Sequence, residues 1–208
     1  MKLIFDIGAN RGAFTDKCLQ EHKDVKIILV EPNDDLYKML KQKYSHNENI
    51  IILSNVVSSN SDEIIDFYIS SDDVLSTSST EWITNSRFSG NYTWHSVKKQ
   101  TINIDKMIEM YGTPDLLKID VEGYELEVIK GLTQKVKKLC FEWAEEQYDN
   151  INKICEYLKH LGYENFGFIY GDEYLKEPTD FSAWEKCKIH ENIIPSRKAA
   201  WGMIWVIS

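Results

Sequence analysis

The chain has no C-x-x-C pair, no long apolar run and no run of basic residues beyond two. Its four cysteines, Cys18, Cys140, Cys155 and Cys187, stand apart, with no second cysteine at ligand spacing from any of them. That argues against a zinc or dithiol motif and predicts free thiols in a reducing, cytoplasmic setting. The first apolar run, Leu3-Ile4-Phe5, stops at Asp6, so neither a signal peptide nor a membrane span is expected. The net charge is −9, and the longest basic runs are Lys98-Lys99 and Lys137-Lys138. Such a surface repels phosphate backbones, so no nucleic-acid partner is expected. There is no internal repeat, low-complexity tract or linker. One domain over residues 1–208 is therefore predicted. Its first core strand starts at residue 3, as in a minimal version of a fold or a module of a longer polypeptide.

What is present is an alternation of apolar runs and helical patterns. Lys2–Ile7, Val25–Val30, Asn49–Val57, Asp115–Ile119 and Val136–Trp143 read as buried strands. Helices are predicted over Ala13–His22, from a cap at Asp34, from a cap at Asp105 to Gly112, over Gly123–Lys130, and from a cap at Asp149 to Gly162. Glu63–Ile69 and Ser96–Ile104 break the rhythm as two further strands around a Ser/Thr/Asn-rich loop. Asn165–Tyr170 and Trp201–Ile207 close the chain. Continuous apolar strands alternating with helices predict a Rossmann-like α/β fold, a mostly parallel sheet covered on both faces. Residues 70–95 and 171–198 are expected to be substrate-side loops, since long patternless connections tend to carry function.

Two strand ends carry the chemistry. Asp6-x-Gly8-x-Asn10-x-Gly12 sits at a strand-to-helix turn, where glycines let the backbone approach a ligand. The middle glycine of a G-x-G-x-x-G fingerprint is missing, and Asp6 would repel a pyrophosphate. A ligand with an ammonium group and no phosphate, such as S-adenosylmethionine, suits that turn better. Glu31 ends the second strand and can accept both ribose hydroxyls of an adenosine. A nicotinamide dinucleotide would use Glu31 equally, and a purely structural turn remains an alternative.

Three segments carry a resemblance: Asp6 to Phe14, Val30-Glu31-Pro32-Asn33, and Leu117-Lys118-Ile119-Asp120-Val121-Glu122-Gly123-Tyr124-Glu125, with Gly131 closing the helix. They resemble the FkbM-type class I methyltransferases over Leu3 to about Trp143. The resemblance implies a seven-stranded sheet with an antiparallel last strand. It also implies O-methylation of hydroxyls on sugars, glycans or secondary metabolites. By it, Asp6, Gly8, Asn10, Gly12 and Glu31 map to the cofactor side, followed by Asn55, Ser78 and Ser79.

Methyl transfer to an alcohol needs an in-line approach and gains from a base that takes the hydroxyl proton. Asp120, ending the fourth strand, is the expected base or substrate orienter, with capping of the next helix as its ordinary alternative. Glu122 and Glu142 are candidates for binding acceptor hydroxyls, and His95 for a second base. Asp120 and Glu142 on adjacent strand ends are also candidate ligands for a divalent cation. Lys118 is expected to pair with a neighbouring carboxylate. Trp82, Phe88, Tyr92, Trp94, Tyr170, Tyr174 and Trp184 cluster near the expected mouth, and sugars lay C–H faces on such rings. A sugar or glycan is thus the expected acceptor. A non-sugar metabolite, lipid or peptide hydroxyl, an NAD-dependent sugar oxidoreductase and a non-catalytic binding module are the competing readings.

Overall fold

The structure, a computed structural model, describes residues 1–171, 176–186 and 201–208. Its strands are β1 (Lys2–Ile7), β2 (Val25–Val30), β3 (Ile50–Leu53), β4 (Val56–Val57), β5 (Ile64–Ser70), β6 (Trp94–Ile102), β7 (Leu116–Ile119), β8 (Lys138–Ala144), β9 (Asn165–Tyr170) and β10 (Trp201–Ile207). Its helices are α1 (Ala13–Glu21), α2 (Asp34–Lys43), α3 (Thr80–Asn85), α4 (Ile104–Tyr111), α5 (Glu125–Lys130) and α6 (Tyr148–His160).

Seven strands form one sheet in the order β3-β2-β1-β7-β8-β10-β9. β10 runs antiparallel to both its neighbours, and the pairings from β3 to β8 are parallel. Parallel strands need crossover helices, and these cover both faces. On one face Met107 and Ile108 of α4, Val128 and Ile129 of α5, and Ile151, Ile154 and Leu158 of α6 pack with Phe5, Leu117 and Phe141. On the other, Phe14 and Cys18 of α1 and Leu40 of α2 pack with Ile4, Ile27 and Leu29. The order reverses between β1 and β7, so the carboxyl ends of these two strands open a crevice of the kind that binds ligands in such sheets.

Several boundaries differ from the sequence reading. The apolar stretch Asn49–Val57 is two strands: Ile50–Leu53 stays in the main sheet, while Val56–Val57 pairs with Thr101 and Ile102 in a second sheet, β4-β6-β5. Val56 and Val57 are at least as buried as the residues of β3, so apolarity alone does not mark the break. Asn33, not Asp34, caps α2 by accepting from the amides of Asp35 and Leu36. Asn103, not Asp105, caps α4 by accepting from Lys106 N, and Asp105 instead accepts from Thr133 N and Oγ1. α6 has no side-chain cap, and Asp149 lies within its first turn. Trp184 is buried on Phe166, with ring centroids 5.7 Å apart, and belongs to the core. Tyr174, Cys187 and most of the 171–198 connection lie outside the described residues.

Candidate functional site

A crevice of about 500 Å³ opens at the carboxyl ends of β1, β2, β7 and β8, within the range of small-molecule sites. β1 ends in the glycine turn. Gly8 has φ +74°, and a Cβ there would lie 1.7 Å from the carbonyl oxygen of Asp120. Asp120 N in turn donates to Ile7 O at 3.1 Å. The two signature segments thus touch backbone to backbone, which no side chain would permit. Asn10, also left-handed at φ 46°, donates from its amide to Glu31 Oε2 at 2.8 Å. Glu31 Oε1 accepts from Asn33 N at 2.8 Å. One carboxylate therefore fastens the glycine turn to the start of α2 while facing the crevice. Burial pushes its pKa up to about 7, against the pull of those two amides.

Asp6 is placed differently from the expectation. It is fully buried behind the turn, outside the crevice lining. Its Oδ2 accepts from Thr15 Oγ1 at 2.7 Å and its Oδ1 lies 3.3 Å from Lys118 Nζ. Burial raises its pKa, and Lys118 and Thr15 pull it back. In this position Asp6 faces Thr15 and Lys118 rather than the crevice. Gly12 also stands off the crevice. Its left-handed φ of +80° brings it against the ring and hydroxyl of Tyr44, so it serves helix packing.

Lys118 is nearly inaccessible, and three elements hold its ammonium. It donates to Gly8 O at 2.7 Å and stands 3.3 Å from both Asp6 Oδ1 and Asp120 Oδ2. Burial disfavours its charge, but Asp120 and Asp6 outweigh that and raise its pKa. The expected pairing of Lys118 with a carboxylate is present twice over.

Asp120, a quarter exposed at its side chain, faces the crevice with Glu122 and Glu142. Each of the three offers a carboxylate oxygen within 4.8 Å of the others, a spacing that a cation can bridge. Burial, then the like charges around them, pushes the pKa values of Glu122 and Glu142 well up. Glu122 has φ 56° and Gly123 φ +81°, so the signature turn is left-handed at two consecutive positions. Glu125 closes that turn by accepting from Val121 N at 3.0 Å, and burial lifts its pKa to about 7.

The tip of the β5–β6 hairpin, residues 71–93, covers the crevice and ties into both signatures. Thr77 Oγ1 donates to Glu122 O at 2.7 Å. Asn10 Nδ2 donates to Asp73 O, and Arg11 pairs with Asp73 at 2.5 Å. Arg87 bonds Glu146 through N, Nε and Nη2. Trp82 packs on Gly123, which leaves no room for a Cβ there without displacing the indole. Ser78 lines the crevice with a buried hydroxyl that has no hydrogen-bond partner. Ser79 instead caps α3 by accepting from Trp82 N, and it does not line the crevice. Asn55 lines it, with Nδ2 donating to Gln100 O. His95 lies exposed on β6, outside the lining. Of the expected aromatics Trp82 and Phe88 line the crevice, with Phe14, Phe67, Tyr124 and Trp201 beside them; Trp94 and Tyr170 do not, and Tyr92 reaches it through its contact with Phe88. Sequence reasoning missed Thr77, the Arg11–Asp73 and Arg87–Glu146 pairs, and Trp201. No short-range pattern joins residues 59 or 62 positions apart.

The family model for the FkbM methyltransferase domain matches residues 6–165. The hexuronic acid methyltransferase AglP of Haloferax volcanii is 28% identical over 141 residues, 67% of this chain and 53% of AglP. The chain thus spans about half the length of this curated relative. Among solved structures, precorrin-6y C5,15-methyltransferase from Geobacter metallireducens has a TM-score of 0.52 at 12% identity, covering 100% of this chain and 81% of that one. Aeropyrum pernix fibrillarin, solved with natively bound S-adenosyl-L-methionine, has a TM-score of 0.52 at 11% identity, covering 99% and 66%. These likenesses show the class I methyltransferase fold, and the match over residues 6–165 shows that the chain belongs to the FkbM methyltransferase domain family.

Proposed function

We propose that this chain is an S-adenosylmethionine-dependent O-methyltransferase acting on a hydroxyl of a sugar or glycan. The observation that carries the reading is the buried Glu31 carboxylate facing a glycine-turn crevice across from Asp120, within a chain of this family. The residues fit the cofactor. The crevice volume suits a nucleoside, Glu31 can accept hydrogen bonds from hydroxyls, and the buried Ser78 hydroxyl lacks a partner among the described residues. Gly8, Asn10, Glu31, Asn55 and Ser78 would hold it. When bound, the cofactor supplies an electrophilic methyl group on a sulfonium.

The chain's own residues handle the acceptor. Lys118 sits on Asp120 Oδ2, which leaves Oδ1 to receive the hydroxyl proton as the acceptor oxygen attacks. Burial and the like charges around Glu122 and Glu142 push their pKa values well up, and both face the crevice, where they can hydrogen-bond neighbouring acceptor hydroxyls. Trp82, Phe88 and Trp201 supply the apolar wall, and the hairpin tip limits water access. The sugar assignment is supported by the likeness to AglP, a hexuronic acid methyltransferase.

The test is transfer of labelled methyl from the donor to methyl glycosides of hexoses and hexuronic acids, read by mass spectrometry. Asp120→Asn should bind adenosylhomocysteine within about threefold of the parent and lose at least about 10²-fold in turnover. Unchanged turnover would remove Asp120 from the chemistry. Binding of NAD(H) in preference to adenosylhomocysteine would sink the whole reading. A second use of the same carboxylates, a divalent cation on Asp120, Glu122 and Glu142, is favoured by their convergence. Abolition of turnover by chelator and its return with magnesium would support it.

A further inference from the structure

The strand that delivers Asp120 also delivers, two residues earlier, a buried ammonium that the reaction as described does not consume. Lys118 reaches out of β7 to the end of β1. Its shortest contact is not a carboxylate but a carbonyl, Gly8 O at 2.7 Å. Gly8 is the residue of the glycine turn that lies closest to Asp120, and its missing Cβ is what lets the two backbones meet. The same nitrogen stands 3.3 Å from Asp120 Oδ2 and 3.3 Å from Asp6 Oδ1, with the Phe14 ring 5.9 Å away. The titratable groups facing it are Asp6 on β1, Asp120 just past its own strand, and beyond them Glu31, Glu122, Cys140 and Glu142. Arg87 and Arg11 lie on the crevice wall, tied to Glu146 and Asp73.

We propose that Lys118 is a positioning residue that clamps the glycine turn to the Asp120 carboxylate, so that the cofactor side and the base keep one fixed register. This rests on the methyl-transfer reading above. A methyl donor held by the turn and a hydroxyl held by Asp120 must meet in line at about 3 Å, and small misplacements there are heavily punished. Neither β1 nor β7 alone fixes that distance. The side chain of Asp120 can rotate, and Gly8 has no side chain of its own to fix its place in the turn. One ammonium bonded to both removes the two freedoms together. Asp6 has a separate part: it balances the ammonium from behind, where no ligand reaches it.

The test separates charge balance from positioning. Lys118→Met alone leaves Asp6 and Asp120 uncompensated and is expected to fold poorly. Lys118→Met is therefore made in an Asp6→Asn background, with Lys118→Gln in the same background as a second variant. Thermal melting with adenosylhomocysteine reports folding. Relative to D6N, D6N/K118M should bind adenosylhomocysteine about tenfold more weakly, as the carbonyl clamp is lost. On a methyl glycoside that the parent methylates, its kcat should fall at least about thirtyfold with the acceptor KM within threefold. In a D6N/D120N background, adding K118M should change the residual kcat less than twofold, because Lys118 acts through Asp120. Equal adenosylhomocysteine affinity with and without Lys118, full additivity in that cycle, or failure of both the Met and Gln variants to fold would overturn the clamp. A parent that methylates none of the glycosides defeats the functional reading instead, and the affinity comparison still decides the clamp.

Discussion

Replacing Glu31 by glutamine should change the pH dependence of stability in a specific way. Glu31 is 4% exposed, and each of its oxygens accepts one backbone amide at 2.8 Å. Glutamine offers one oxygen and one amino group, so one buried N–H meets another donor, costing about 1–3 kcal/mol at any pH. The charged form adds a second term of opposite sign. The folded carboxyl keeps its proton until about pH 7, whereas the unfolded one loses it near 4.5. The stabilisation from that raised pKa is fully present below pH 4.5, fades through the window to about 7, and is gone above it. The span corresponds to about 3 kcal/mol. The parent should therefore exceed E31Q by about 1–3 kcal/mol at pH 5, and the gap should close or reverse by pH 8. Urea unfolding at pH 5, 6, 7 and 8 measures it. A gap that stays constant with pH would refute the burial argument. Under the proposed function, adenosylhomocysteine favours the ionised carboxylate by donating ribose hydroxyls. Its binding at pH 7 should then release roughly half a proton from the parent and less from E31Q, read calorimetrically in buffers of different ionisation heat.

Two further perturbations probe the same turns. Gly8→Ala drives a methyl into the Asp120 carbonyl at φ +74° and should cost more than about 3 kcal/mol, whereas Gly90→Ala, with an open surround at φ +76°, should cost only about 1. Melting temperatures of the two variants decide it, and equal losses would show that the backbone contact does not matter. Thr77→Val removes the hydroxyl that donates to Glu122 O and accepts from Ser79 N, and should destabilise by about 1–3 kcal/mol in chemical unfolding.

The parallel strands and the helices on both faces were legible because continuous apolar runs and 3.6-residue stripes leave few other solutions, whereas the antiparallel last strand was implied by the family resemblance alone. The sequence also marked Gly8, Asn10, Glu31, Asp120, Glu122 and Glu142, all of which the fold gathers in one crevice. It misplaced Asp6 for a physical reason. A strand-end aspartate looks the same whether it faces a ligand or a buried lysine, and only the third dimension shows Lys118 between Asp6 and Asp120. Trp184 was misplaced likewise, since an aromatic in a patternless segment gives no sign of whether it packs inward. The caps at Asn33 and Asn103 sit one or two positions before the aspartates that the pattern suggested, because Asn and Asp compete equally for that post.

The element that roofs the crevice hangs from the small β4-β6-β5 sheet, which shares no hydrogen-bonded strand with the seven-stranded one. Insertions or deletions near Gly90, where nothing lies within 4 Å of an added Cβ, therefore leave every strand register of the large sheet intact. Descent with modification can rewrite what the crevice admits by editing a surface hairpin, while the crevice floor stays unaltered.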